Sequence, residues 1–171
     1  EICYISVGGV KLMAEVIKVI GKNAFVQVFE STRGMRVGDE AEFEGHMLEV
    51  TLGPGMLSRN YDGLQNDLDK MEGVFLRRGE YTFPLDNDKL WDFKPLAKVG
   101  DKVAAGGWLG EVDENFQPHK IMVPFTFKGE YTVKSLKEAG QYTIGEVIAV
   151  LTDETGKDVE VTMIQRWPVK R

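Results

Sequence analysis

The sequence predicts a mainly β protein: a small N-terminal β-barrel, a short hinge helix and a second β domain. Three observations predict it. Short apolar runs broken by glycine turns fill both halves of the 171-residue chain. Gly53-Pro54-Gly55 interrupts them, because proline brings no N–H to a ladder and glycine tolerates positive φ. Beyond that break, Tyr61, Leu64, Leu68 and Met71 recur at three- and four-residue spacing, the apolar face of a short helix that ends at Gly73.

Taken in order, residues 2–7 read as a strand, and residues 14–20 and 24–29 flank a hairpin loop at Gly21-Lys22-Asn23. Phe25, Gln27 and Phe29 share one face while Ala24, Val26 and Val28 share the other, so this strand is apolar on most sides, as in a small closed barrel. Gly34 and Gly38 turn a loop, and residues 41–44 and 47–52 return to β. After the hinge, residues 74–83 read as a strand containing Arg77-Arg78-Gly79. Leu90, Trp91 and Phe93 beside Pro95 predict a packed cover, and further β runs follow around Leu109, residues 119–123, 127–133, 147–151 and 159–164. The predicted boundaries are thus a barrel over 1–52, hinge turn and helix over 53–73, the second β domain over 74–165, and a linking segment over 166–171.

Composition narrows the function classes. A net charge of −6 argues against nucleic acid as the main partner. No apolar run approaches the ~20 residues of a membrane span, so direct membrane insertion is not expected. Cys3 is the only cysteine, which excludes an internal disulfide and suits a reducing compartment. The chain opens inside a strand at Glu1 and stops at Arg171, and the expectation is a segment of a longer polypeptide.

Candidate sites are few. Gly53-Pro54-Gly55 precedes the hinge helix, where a phosphate loop would sit, but the chain lacks the Gly-x-x-x-x-Gly-Lys-Ser/Thr string whose amides and lysine reach phosphates. Asp86-Asn87-Asp88 starts like a calcium loop, yet Leu90 takes the next ligand place. His46, His119 and Cys3 cannot supply zinc spacing, and no nucleophile elbow is present. Catalytic, cofactor and metal residues are therefore expected to be absent. Trp91, Phe93 and Trp108 are the candidate partner contacts, being aromatic anchors in a small domain.

Two resemblances add to this reading. Leu96-Ala97-Lys98-Val99-Gly100 and Leu136-Lys137-Glu138-Ala139-Gly140 share a turn followed by a β run, similar to the barrel-sandwich hybrid of biotinyl and lipoyl carrier domains over residues 94–151. In those carriers a lysine flanked by methionines takes the prosthetic group; here Lys120 follows Pro118-His119 and precedes Ile121, outside that motif. A carrier or protein-interaction β domain is the alternative reading.

The second resemblance covers nearly the whole chain. Gln27-Val28-Phe29-Glu30-Ser31-Thr32-Arg33-Gly34, Leu52-Gly53-Pro54-Gly55, Asp62-Gly63-Leu64-Gln65, Lys89-Leu90-Trp91-Asp92-Phe93-Lys94-Pro95, His119-Lys120-Ile121-Met122-Val123-Pro124 and Arg166-Trp167-Pro168-Val169-Lys170 resemble the N-terminal region of the catalytic A subunits of vacuolar- and archaeal-type rotary ATPases. Gly53, Pro54, Gly55, Asp62, Gly63 and Gln65 match its structural motif. The resemblance implies a crown barrel in an alternating A/B hexamer and a bulge domain facing the peripheral stalk. It also implies a cytoplasmic, membrane-peripheral location in a proton or sodium pump or ATP synthase. ATP, Mg and the hydrolytic residues would belong to a nucleotide-binding domain downstream of Trp167-Pro168-Val169, beyond Arg171. The chain departs from the family pattern at Asn60, at Asn66-Asp67 and at Phe125-Thr126-Phe127.

Overall fold

A computed structural model describes residues 1–71 and 77–169. The chain divides into two compact units, one of Glu1–Val50, Lys70–Thr82 and Pro168–Arg171, the other of Thr51–Asp69 and Phe83–Trp167.

In the first unit β1 (Ile2–Val7), β2 (Val10–Ile20), β3 (Asn23–Val28) and β4 (Ala41–Phe43) form an antiparallel sheet of order β3-β2-β1-β4. Gly8 and Gly9 close the β1–β2 hairpin at φ 58° and 85°, a pair of left-handed positions that side chains resist. The strand period then decides the core. Cys3, Ile5 and Val7 of β1 and Leu12 and Ala14 of β2 are buried, with Val26 and Val28 packed against them. Toward the distal end of the β2–β3 hairpin this order lapses, and Ile17, Val19 and Phe25 are exposed.

The strand expected over 74–83 is not formed where the structure describes it. Residues 72–76, including the expected helix stop at Gly73, lie outside the described residues. Residues 77–82 instead make a turn with Gly79 at φ 72°. Glu30 holds this turn: its carboxylate accepts from Gly79 N (2.7 Å) and from the Tyr81 hydroxyl (2.5 Å). Tyr81 Oη in turn accepts from Met13 N (2.7 Å), and its ring meets Tyr4 edge-on at 6.0 Å. Only glycine fits at 79, since a Cβ there would lie 2.0 Å from Val10 Cγ1.

β5 (Glu49–Leu52) pairs in a separate two-stranded sheet with the last strand, β14 (Gln165–Pro168). Between them run β6 (Trp91–Pro95), β7 (Lys102–Val103), β8 (Trp108–Glu114), β9 (Gln117–Met122), β10 (Tyr131–Leu136), β11 (Gly140–Tyr142), β12 (Ala149–Asp153) and β13 (Asp158–Val161). They form two four-stranded antiparallel sheets, β13-β12-β10-β7 and β11-β6-β8-β9. Alternate side chains of both sheets share one core: Phe93, Leu109, Val112 and Ile121 from one, Val133, Leu151 and Val161 from the other. Gly110 has no room for a side chain, because a Cβ would sit 2.2 Å from Phe93 Cε2. The mainly β expectation holds, with this packing as its physical basis.

One further expectation needs correction. The hinge helix shrinks to one 3₁₀ turn at Leu68–Lys70. Asp62 is the cause: its Oδ1 accepts from Leu64 N (2.9 Å) and Asn66 N (2.7 Å), and Gln65 is left-handed at φ 63°, which no α-helix accommodates. Trp91 and Phe93 alternate inward along β6 and are core side chains, 4% and 1% exposed, whereas Trp108, the third candidate, is 58% exposed.

Candidate functional site

The turn at Gly53-Pro54-Gly55 is the natural starting point, since successive backbone amides in a glycine turn form an anion-binding concavity. Here the anion is internal. Glu114, 3% exposed at the end of β8, accepts from Gly55 N (2.7 Å) and Leu57 N (3.0 Å) through Oε1. Its Oε2 accepts from His119 Nδ1–H (2.7 Å) on β9. Both glycines suit the turn. A Cβ on Gly53 would crowd Leu85 Cδ1 and Met163 O at 3.1 Å, and Gly55 adopts φ 105°, which favours glycine. Pro54 has no amide to leave unpaired.

The remaining motif residues brace the same turn. Gln65 reads the backbone of Thr51 in both directions, accepting from its N–H (2.7 Å) and donating to its carbonyl (2.6 Å). Asp62 organises the loop as described, and Asn66 Nδ2 donates to its Oδ2 (2.8 Å). Gly63 is exposed, with open space where a Cβ would stand, and nothing in the structure explains its motif place. Asn66 and Asp67, two of the departures from the family pattern, are 4% and 0% exposed; Asp67 receives Arg59 Nη1 at 3.1 Å.

Beside the clasp, β9 opens onto a cavity of about 460 Å³ whose walls include Met56, Leu57, Pro118, Met122, Phe125 and Trp167. Phe125 and Trp167 meet edge-on at 4.8 Å along one side. The charged walls are already committed. Lys120 pairs with Glu111 and lies 4.9 Å from the Trp108 ring, while His119 is held by Glu114. That ion pair holds the Glu111 carboxyl below its usual range, its hydrogen bond from Lys120 being the main cause. The groove is apolar, and Lys120 and His119 in its wall are each hydrogen-bonded to a carboxylate of the protein.

Lys120 sits within β9, and the tip of the β8–β9 hairpin falls earlier, at Asn115-Phe116. A lysine meant for a modifying enzyme would occupy that tip. Asp86 Oδ1 accepts from Asp88 N (3.0 Å) and Lys89 N (3.2 Å), so the calcium-like string is a turn. Among the described residues no three His, Cys, Asp or Glu side chains converge as metal ligands. No helix of the described residues is long and apolar enough to cross a membrane.

Sequence reasoning missed two residues. Glu114 carried no motif, because a buried carboxylate that caps a turn 57 to 59 residues away leaves no local pattern. Phe116 is 95% exposed at a hairpin tip, and the one available signal was the asparagine before it.

Comparison with known proteins adds to this geometry. The family model described as the ATP synthase alpha/beta family, beta-barrel domain, matches residues 1–45. That of the ATP synthase alpha/beta subunit barrel-sandwich domain matches residues 82–170. A V-type ATP synthase alpha chain from Treponema denticola is 47% identical over 174 residues, covering all of this chain and 30% of the relative. Another from Borreliella afzelii is 46% identical over 173 residues, covering 99% of this chain and 30% of the relative. V-type ATP synthase alpha chain 1 from Treponema pallidum is 46% identical over 174 residues with the same 30% share of its length.

Proposed function

The chain belongs to the ATP synthase alpha/beta family, and we propose that it serves as the non-catalytic β portion of a V-type ATP synthase alpha chain. Similarity at 47% identity along the entire chain, rather than at one motif, is the observation that carries this reading. The chain spans about 30% of the length of the curated relatives it matches.

In this reading residues 1–52 form a crown barrel that holds alternating A and B subunits in a hexamer. Residues 53–73 join it to a bulge over 74–165 that faces the peripheral stalk. Residues 166–171 lead into a domain that binds ATP with Mg and hydrolyses or makes it. The assembly would act at the membrane periphery on the cytoplasmic side, moving protons or sodium.

The residues present do not fit ATP. Two amides of the Gly53–Leu57 turn are occupied by Glu114, and no lysine stands at the turn to reach a phosphate. Its own residues serve structure: Glu114 holds the Gly53–Leu57 turn, Gln65 holds Thr51, and Asp62 holds the loop that follows. The carrier reading is disfavoured by Lys120, which lies in a strand and is bound to Glu111.

Calorimetry of this chain with MgATP tests the reading. No binding heat is expected, and micromolar binding would overturn the assignment of the nucleotide site to residues outside it.

A further inference from the structure

The β8–β9 hairpin presents a feature that neither packing nor backbone preference accounts for. Asn115 and Phe116 form its two-residue tip at φ 53° and 64°. Asparagine tolerates that region, whereas a bulky aromatic there is a conformational outlier. Phe116 is also 95% exposed, so the fold gains no burial from it. Despite this the tip is held firmly. Phe116 N donates to Asp113 Oδ1 (3.0 Å), Asn115 Nδ2 donates to Ser58 Oγ (3.3 Å), and the preceding Glu114 is the buried clasp. Strain together with rigid exposure of a large apolar side chain is a known signature of a binding element.

The surroundings define what it fits. The next residue, Gln117, lines the apolar groove of about 460 Å³ described above. Around that groove Leu57, Phe125 and Trp167 are 49%, 49% and 37% exposed. Its methionine walls, Met56, Met122 and Met163, are the adaptable lining that suits an amphipathic helix. The charge balance points one way. Lys120 is paired with Glu111, the Glu114 carboxylate faces the His119 ring, Asp113 beside the tip is exposed, and the chain carries a net charge of −6 with histidine neutral. An apolar groove with the carboxylates of Glu114 and Asp113 at its edge, on an acidic chain, favours a partner with an apolar stripe and basic flanks.

We infer that Phe116 and the adjoining Met- and aromatic-lined groove are a docking site for a basic amphipathic helix of another protein. This deepens the bulge-domain reading, on which it rests for the class of assembly but not for its residues. The test uses synthetic amphipathic helices of about 18 residues, one Leu/Lys and one Leu/Glu, titrated into this chain at about 0.15 M salt. Binding is read by calorimetry and by the fluorescence of Trp108 and Trp167.

The Leu/Lys helix should bind and the Leu/Glu helix should bind at least about tenfold more weakly. Phe116→Gly, which removes the aromatic and relieves the left-handed backbone, should weaken Leu/Lys binding about tenfold while leaving the unfolding midpoint equal or higher. Phe116→Leu should retain most of the binding. Unchanged affinity in Phe116→Gly, or equal affinity for the two helices, would overturn the proposal. So would a dimer of the chain that Phe116→Gly dissociates, since the occupant would then be a second copy. None of these outcomes bears on MgATP binding, so the family reading and this inference fail separately.

Discussion

Replacing Glu114 by alanine removes a single carboxylate but orphans three donors: Gly55 N, Leu57 N and His119 Nδ1. At 3% exposure the site admits little water to replace them. Hydrogen bonds to an ionised acceptor contribute about 1.5–3 kcal/mol each, and the histidine can rotate toward solvent, so a loss of about 3–5 kcal/mol is expected. Glu114→Gln keeps an oxygen for the two amides and loses the charge, which should cost about 1–2 kcal/mol. Urea unfolding followed by tryptophan fluorescence is the assay, because Trp91, Trp108 and Trp167 all belong to the second unit. For a unit of this size, alanine should lower the urea midpoint by about 2 M or more and glutamine by roughly a third of that. An alanine variant within about 0.5 kcal/mol of the parent would refute the clasp, as would glutamine costing as much as alanine.

Further outcomes follow from close contacts and titration. Gly110→Ala drives a methyl to 2.2 Å from the Phe93 ring and 2.8 Å from Lys94 O, and calorimetric melting should show about 2–3 kcal/mol lost from the second unit. Gly79→Ala meets Val10 Cγ1 at 2.0 Å with φ at 72°; hydrogen exchange should speed up in β1 and β2 while tryptophan fluorescence stays native. On the acid side, hydrogen bonds from Lys120, Thr155 and Lys134 lower the carboxyls of Glu111, Asp153 and Asp158 respectively. Their contribution is complete above the unfolded carboxylate pKa and is lost as pH falls through the depressed folded values, so a stability–pH profile should decline below about pH 4. On the alkaline side, burial and then the hydrogen bond to Glu30 push the Tyr81 phenol far above its ordinary value. The neutral form is the folded one, so stability should fall above about pH 10, and Tyr81→Phe should flatten that limb.

The strands were legible because their signals are local. Alternation in residues 2–7 and the Gly21 turn place β1, β2 and β3 without reference to anything distant. The hinge was misread because spacing alone cannot see side-chain competition: Tyr61, Leu64, Leu68 and Met71 have helical periodicity, but Asp62 captures the amides that a helix would need. Trp91 and Phe93 were chosen as contacts by type, and only the register of β6 reveals that alternate positions face the core. Glu114 and Phe116 escaped notice for opposite reasons. One is defined by partners far along the chain, the other by having no burial at all. The glycines of Gly53-Pro54-Gly55 signal a turn in the sequence, but the carboxylate that fills its concavity leaves no signal there.

The central claim is that these residues are the structural β portion of a V-type ATP synthase alpha chain, and a chimera tests it most directly. The matching 30% of the Treponema denticola alpha chain, 47% identical to this chain, would be replaced by these 171 residues and co-expressed with its assembly partners. The account predicts that the chimera joins a complex by native mass spectrometry and retains ATP hydrolysis within about tenfold of the parent. A soluble, folded chimera that fails to assemble would contradict it.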